Sequence, residues 1–288
     1  MNMEVTSGDV NGQHRKVWYA PNKFESYGQE EIDAVVACLK DGWLAGFGKR
    51  SIEFEEKVAS HFSKKYGLFV NSGSSANLLG LASLDLPKGS LVVTPACTFS
   101  TTVAPIVQLG LEPVFCDVDL NAYVPTVDQI MEKVTKDTKV VMIPNLIGNK
   151  TDWKTLRERI DYKFPGVVLF EDSADTMTST PYSDVSITSF YASHIITAGG
   201  SGGMVMFNSE DLLKRAIMLR DWGRIGNNSE NVDQRFAQSI DGIPYDFKFL
   251  YGGLGYNFKS SEMNAAFGLV QLEKIEKIKN IRRANIER

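Results

Sequence analysis

At 288 residues and 32.0 kDa the chain is long enough for one large domain or two modest ones. Its composition, 43% hydrophobic and 23% charged, is that of an ordinary globular protein, and a net charge of −4 with a pI near 5.5 argues against a nucleic-acid binder. No apolar run is long enough for a bilayer, the polar start MNMEVTSGDVNGQHRK is not patterned as a signal peptide, and three scattered cysteines (Cys38, Cys97, Cys116) without CxxC spacing point to a reducing, cytoplasmic setting.

Residues 1–25 read as a polar arm. Ile32, Val35, Val36 and Leu39 recur at helical spacing and predict a helix from Gln29 to Leu39, stopped by Lys40-Asp41-Gly42. A second helix is expected over Ser51–Tyr66, with Ile52, Phe54, Val58 and Phe62 as its buried stripe. Short apolar runs then alternate with helical stretches. Strands are expected at Gly67–Val70, Leu91–Thr94, Pro113–Cys116, Val140–Pro144 and Val167–Glu171. Helices are expected at Ser74–Leu84, Phe99–Leu109, Val127–Val134 and Trp153–Asp161. Strands apolar on both faces and separated by helices predict an α/β fold, with a mostly parallel sheet covered on both sides. From Ile187 the texture turns β-rich, VSITSFYAS and then GGMVMFNS, a pair joined by a glycine-rich turn. Helix Ser209–Leu219, an irregular stretch to Tyr251 and one long amphipathic helix from Ser260 to Arg288 complete the chain.

Six segments carry chemistry. NSGSSANLL (Asn71–Leu79) lies between a strand and a helix, where small residues and free amides hold a phosphate; a Ser/Gly turn capping the helix is the plain alternative. Phe99, in PACTFSTT, follows the next strand and is placed either to stack on a flat heterocycle or to fill the core. EDSAD (Glu171–Asp175) puts carboxylates at a strand's carboxyl end, where Asp172 suits a protonated pyridine nitrogen or a helix N-cap. SFYASHIITAGGSGG (Ser189–Gly203) carries His194 ahead of the glycine turn, where a lone histidine is by itself more often structural than catalytic; His14 and His61 read as structural. RDWGR (Arg220–Arg224) suits phosphate recognition and salt bridges equally. LGYNFKSSEMNAAFGLVQL (Leu254–Leu272) turns into the last helix with an Ala/Gly-rich packing face.

In this order and spacing, from about Ser26 to Arg288, the segments resemble the DegT/DnrJ/EryC1/StrS sugar aminotransferases, a branch of the fold-type I pyridoxal phosphate (PLP) enzymes. The resemblance implies an aspartate-aminotransferase-like large domain over 26–260, and a start at 261–288 of the helix leading to a C-terminal small domain that is otherwise missing. It implies a homodimer with shared active sites and a nucleotide-sugar substrate, with no part for nucleic acid, membrane or metal. By matching position, Gly73, Ser74, Ser75 and Ser189 inherit contacts to the cofactor phosphate. Phe99 inherits the ring-stacking place, Asp172 the ring nitrogen, Asp175 the surroundings of the phenolic oxygen, and Asn257 the partner subunit's cofactor phosphate.

In the aminotransferases of this family SFxxxK, followed by GEGG, carries the Schiff-base lysine; here the string is SFYASH and His194 stands in its place. Lys150, Lys154 and Lys163 before it and Lys214 after it are too far in sequence to substitute. This change resembles the 3-dehydratases of nucleotide-diphospho-4-keto-6-deoxysugars, as do FSTTVAPI, LIGN, RDWGR and YDFKFLYGGLGYNFK. That resemblance implies a loosely held pyridoxamine phosphate (PMP), C3 deoxygenation for deoxysugars of O-antigen, and His194 as a base that titrates near neutrality. One branch of the subgroup holds a [2Fe–2S] cluster on cysteines after RDWGR. The corresponding IGNNSENVDQRFAQSIDG has none, which leaves the cluster-free GDP-4-keto-6-deoxymannose branch, with glutamate as amino donor. TAGGSGG in place of GEGG departs from the family. The alternatives are an aminotransferase with an unusual anchor and a silent B6-binding or scaffold protein.

Overall fold

Strands with alternating side chains that are apolar on both faces can be buried only as the middle layer of three, and this chain builds that arrangement. A computed structural model describes residues 27–225 and 231–287 and, in the arm, an antiparallel pairing of Val5–Thr6 with Lys16–Val17. The rest of the polar arm, and residues 226–230 of the cysteine-free stretch, lie outside the described residues. The strands are β1 (Tyr66–Val70), β2 (Leu91–Pro95), β3 (Glu112–Cys116), β4 (Thr138–Pro144), β5 (Val168–Asp172), β6 (Val185–Ser189) and β7 (Gly203–Phe207). They form one seven-stranded sheet in the order β1-β7-β6-β5-β4-β2-β3. Neighbours from β6 through β3 run parallel, and β7 is antiparallel to both β1 and β6. Pro113, which has no N–H to give a ladder, falls in the edge strand β3.

The helices are α1 (Gln29–Asp41), α2 (Lys49–His61), α3 (Gly73–Ala82), α4 (Ser100–Gln108), α5 (Val127–Met131), α6 (Trp153–Lys163), α7 (Glu210–Arg220), α8 (Val232–Arg235), α9 (Glu262–Glu273) and α10 (Ile275–Ile286). One face of the sheet (Leu68, Val140, Met142, Phe170, Val205, Phe207) packs on Ala76 and Leu79 of α3, Ile106 of α4 and Ala216 of α7. The opposite face meets Phe54 and Val58 of α2 and Ala265 of α9 at one end. At the other end it meets Ile130 of α5 and Trp153, Leu156 and Ile160 of α6. Among the described residues no helix is long and apolar enough to cross a membrane.

The helix expected from Gln29 forms, with its apolar stripe turned outward: Ile32, Val36 and Leu39 are 41%, 40% and 50% exposed. Polar contacts dictate which side of α1 faces inward. Buried Glu31 accepts hydrogen bonds from Gln271 Nε2 (2.7 Å) and Lys274 Nζ (2.8 Å) and caps its own helix through Gly28 N (2.9 Å). In α2, Phe54, Val58 and Phe62 are buried as expected, but Ile52 is 49% exposed. The single terminal helix is broken at Lys274, whose N–H bonds to Gln271 O in a tighter i→i−3 turn while its ammonium is tied to Glu30 and Glu31.

Candidate active site

In a parallel sheet the strand carboxyl ends and the helix N-termini that follow them open on one edge, and eight of the nine candidate residues gather there. α3 starts at Gly73, capped by Ser72, whose Oγ accepts the Ser75 N–H at 3.0 Å. A methyl group on Gly73 would meet Ser189 Cβ at 2.7 Å and Oγ at 3.1 Å, so glycine is what lets the turn lie against the end of β6. Ser74 Oγ reaches Thr101 Oγ1 at the start of α4 (3.1 Å). Phe99, the residue before α4, is 67% exposed, so it is not a core aromatic.

Asp172 ends β5 almost fully buried. Its Oδ2 accepts from Asn77 Nδ2 (2.8 Å) and Thr102 Oγ1 (2.9 Å), and its Oδ1 from the Ala174 N–H (3.1 Å). Burial nonetheless pushes this carboxyl above the usual range, against the three donors that favour the charged form. Asn77 and Thr102 are the functional residues that sequence reasoning missed. Both lie inside quoted motifs, but a neutral side chain gives no sign that it serves a carboxylate 95 or 70 residues away.

His194 lies in the loop between β6 and β7, its Nδ1 3.4 Å from Asp175 Oδ1. Burial lowers its pKa below the usual histidine value, opposed by the Asp175 charge, a hydrogen bond with the Ala174 backbone and the Asp172 charge. Asp175 Oδ2 accepts the Ile147 N–H at 2.9 Å. The departing TAGGSGG turn is built around left-handed Gly199, Gly200 and Gly202 and held by Thr197 Oγ1 on Phe190 O (2.9 Å) and Asn264 Nδ2 on Ala198 O (2.6 Å). Of the lysines flanking His194 in sequence, Lys150 is bound to buried Glu171 (2.8 Å) and Lys214 to Glu210 (2.7 Å).

Asn257 sits next to Phe258, whose carbonyl accepts the Asn71 N–H at 2.9 Å, but among the described residues no contact of its own joins it to the other candidates. It is exposed, bridged to Asp221 between the backbones of RDWGR and GYN. RDWGR itself is structural where its first arginine is concerned: Arg220 is buried, bonding Phe69 O (3.0 Å), Glu55 (3.2 Å) and Asp221 (3.1 Å). Arg224 lies over the Trp222 ring at 4.5 Å.

These residues fit a pyridoxal phosphate. A glycine-floored helix N-terminus ringed by hydroxyls suits the phosphate, and a buried carboxylate with an incompletely used Oδ1 suits a ring N–H⁺. An open aromatic suits the ring face, and Asn77 Oδ1 is buried without a hydrogen-bond partner. Among the described residues no group of three or more His, Cys, Asp or Glu could hold a metal ion.

The model of the DegT/DnrJ/EryC1/StrS aminotransferase family matches residues 25–288. The chain belongs to that family. It is 38% identical over 279 residues to the lipopolysaccharide biosynthesis protein RfbH of Salmonella typhimurium, covering 90% of this chain and 63% of that one. It is 37% identical over 280 residues to the dTDP-4-dehydro-2,6-dideoxy-D-glucose 3-dehydratase of Saccharopolyspora spinosa, covering 90% and 60%. Among solved structures, GDP-4-keto-6-deoxymannose-3-dehydratase with a trapped PLP–glutamate geminal diamine superposes with a TM-score of 0.81 at 28% identity, covering 93% of this chain and 71% of that one. The chain thus spans about six-tenths of the length of these curated relatives. It is a family of PLP enzymes that act on nucleotide sugars, and the cofactor is PLP or PMP.

Proposed function

We propose that the chain is the cofactor-binding part of a nucleotide-diphospho-4-keto-6-deoxyhexose 3-dehydratase, with His194 as the base. The observation that carries this reading is His194 at the position of the family's lysine, beside Asp172 and Asp175 at the sheet edge. When bound, PMP supplies an amine for the C4 ketone and a ring that takes up electrons as the C3 hydroxyl leaves. The residues of the chain do the rest. Asp172 holds the ring N–H, Phe99 covers the ring, and Gly73, Ser74, Ser75 and Ser189 hold the phosphate. Histidine accepts and returns a proton near neutral pH but forms no lasting imine with an aldehyde, so release of a finished amine is disfavoured.

Glutamate as amino donor is supported by the PLP–glutamate adduct in the related dehydratase. A homodimer is supported by exposed Asn257 and by the apolar stripe of Ile32, Val36 and Leu39, continued by Trp43 and Leu44.

The test is to mix protein, PLP and glutamate with a GDP- or dTDP-linked 4-keto-6-deoxyhexose. Loss of the C3 hydroxyl with release of ammonia is the expected result, and a stable amino sugar would overturn it in favour of amino transfer. His194→Lys should move the product toward the amino sugar and create an imine that borohydride traps.

A further inference from the structure

We infer that Asp175 is a positioning residue for His194: with one oxygen fixed by the Ile147 amide, its carboxylate keeps the proton on Nδ1 and leaves Nε2 as the proton-accepting atom. The inference rests on the reading of His194 as the base. A neutral imidazole carries its proton on one nitrogen, and the partner of that nitrogen decides which. A carboxylate only accepts, so Asp175 Oδ1, 3.4 Å from Nδ1, selects the Nδ1–H form. The distance is longer than a closed hydrogen bond, as such contacts commonly are before a substrate seats.

The backbone supports the same reading. Ile147 has φ 50° and ψ 25°, a left-handed conformation that a β-branched residue rarely takes. Its side chain is 66% exposed, so burial does not explain the strain. What the conformation delivers is the Ile147 N–H on Asp175 Oδ2 at 2.9 Å. The loop carrying it is anchored at buried Asn145, whose amide binds Glu171 Oε1 (2.9 Å) and Ser173 Oγ (2.8 Å) and accepts from Trp153 Nε1 (3.2 Å). Strain of this kind persists where the surroundings over-determine it, and here it fixes one carboxylate against one histidine.

The groups that face His194 are the carboxylates of Asp175 and Asp172, the Ala174 backbone and the edge of the Tyr191 ring, 6.3 Å between centroids. Removing the Asp175 charge therefore leaves burial opposed by the hydrogen bond with the Ala174 backbone and, behind it, by the Asp172 charge.

The chain has three histidines, so ¹⁵N-histidine NMR of the whole protein, with His194→Asn for assignment, reads the tautomer directly and without substrate. His194 in the unaltered protein should be the Nδ1–H form. In Asp175→Asn its pKa should fall by about one unit and the Nε2–H form should grow. Asp175→Glu, which restores a carboxylate, should return the Nδ1–H form. Dehydration by Asp175→Asn should lose roughly 10- to 100-fold in kcat with little change in KM, and its acid limb should move to lower pH. An unchanged His194 tautomer and pKa in Asp175→Asn would overturn the inference. A tautomer that shifts while His194→Asn still dehydrates the sugar would instead overturn His194 as the base and leave the positioning contact standing.

Discussion

Gly203 opens β7 beside the phosphate turn, and Gly203→Ala tests how rigidly the sheet holds that turn. A methyl group there would lie 2.3 Å from the carbonyl carbon and oxygen of Ser72 and 2.6 Å from Gly73 N. Ordinary contact begins near 3.4 Å, so one backbone must move by about 1 Å. β7 cannot easily yield, because Gly203 pairs with Val70 on one side and Ser189 on the other. The turn must give instead, and Ser72 is the cap of α3. Overpacking of this kind costs about 1–3 kcal/mol, and a weakened cap adds roughly 1 kcal/mol. A loss of about 2–4 kcal/mol lowers the melting temperature of a chain this size by roughly 3–7 °C. Gly166→Ala is the control: its φ is +94° but its side is open, so about 1 kcal/mol of backbone strain is all it should show. Thermal unfolding with and without PLP, together with a fluorescence titration of PLP, reads both effects. Gly203→Ala should bind PLP about tenfold more weakly. A melt within 2 °C of the unaltered protein, or a lowered melt with unchanged PLP affinity, would refute the reasoning.

Lys64 is buried, donates to Ser183 O and Oγ, and is pushed down to about 8 by burial. A lysine depressed in the folded state makes stability rise with pH between about 8 and the unfolded value near 10.5. Lys64→Met removes a penalty of about 3 kcal/mol at pH 7, offset in part by the lost hydrogen bonds. Its stability relative to the parent should therefore fall as pH rises from 7.5 to 10, and a pH-independent difference in urea midpoints refutes this. Arg220→Met strands Glu55, leaves Asp221 with Lys259 alone at 3.5 Å, and should cost about 3–5 kcal/mol. Because burial raises Glu55 to about 7, the folded state takes up its proton first, so the variant should lose less at pH 5 than at pH 8 in the same assay. Of the three thiols only Cys97 is exposed, while burial raises Cys38 and lifts Cys116 to about 11. A thiol reagent at pH 8 should titrate one cysteine per native chain and three after unfolding, and a second fast thiol would contradict the packing of α1 or β3.

The strands were legible because burial on both faces leaves a run of apolar residues that no exposed segment imitates: Val140–Ile143 and Val205–Phe207 read the same way in sequence and in space. Helix faces were less legible, since periodicity shows that a helix has an apolar side without saying whether that side meets this chain. In α1 the ion pair of Glu31 with Lys274, 243 residues away, turned the polar side inward. Pairings across the site were the least legible. Asp172 could be singled out by its charge at a strand's carboxyl end, and His194 by its place in the string SFYASH, where the family carries lysine. Asn77, Thr102 and the Ile147 amide are ordinary groups that matter only because the sheet's carboxyl edge brings α3, α4 and the turn after β4 up to the end of β5. That division has a chemical consequence. The residues that sequence can name are those whose charge would change in a reaction, while those it misses set the charge state beforehand. Asn77 and Thr102 commit hydrogen-bond donors to Asp172 Oδ2, which leaves Oδ1 with the Ala174 amide and room for one more donor, while burial penalises the ion until that donor is a cation. Losing either donor should therefore weaken the hold on a protonated ring nitrogen even though neither side chain touches it.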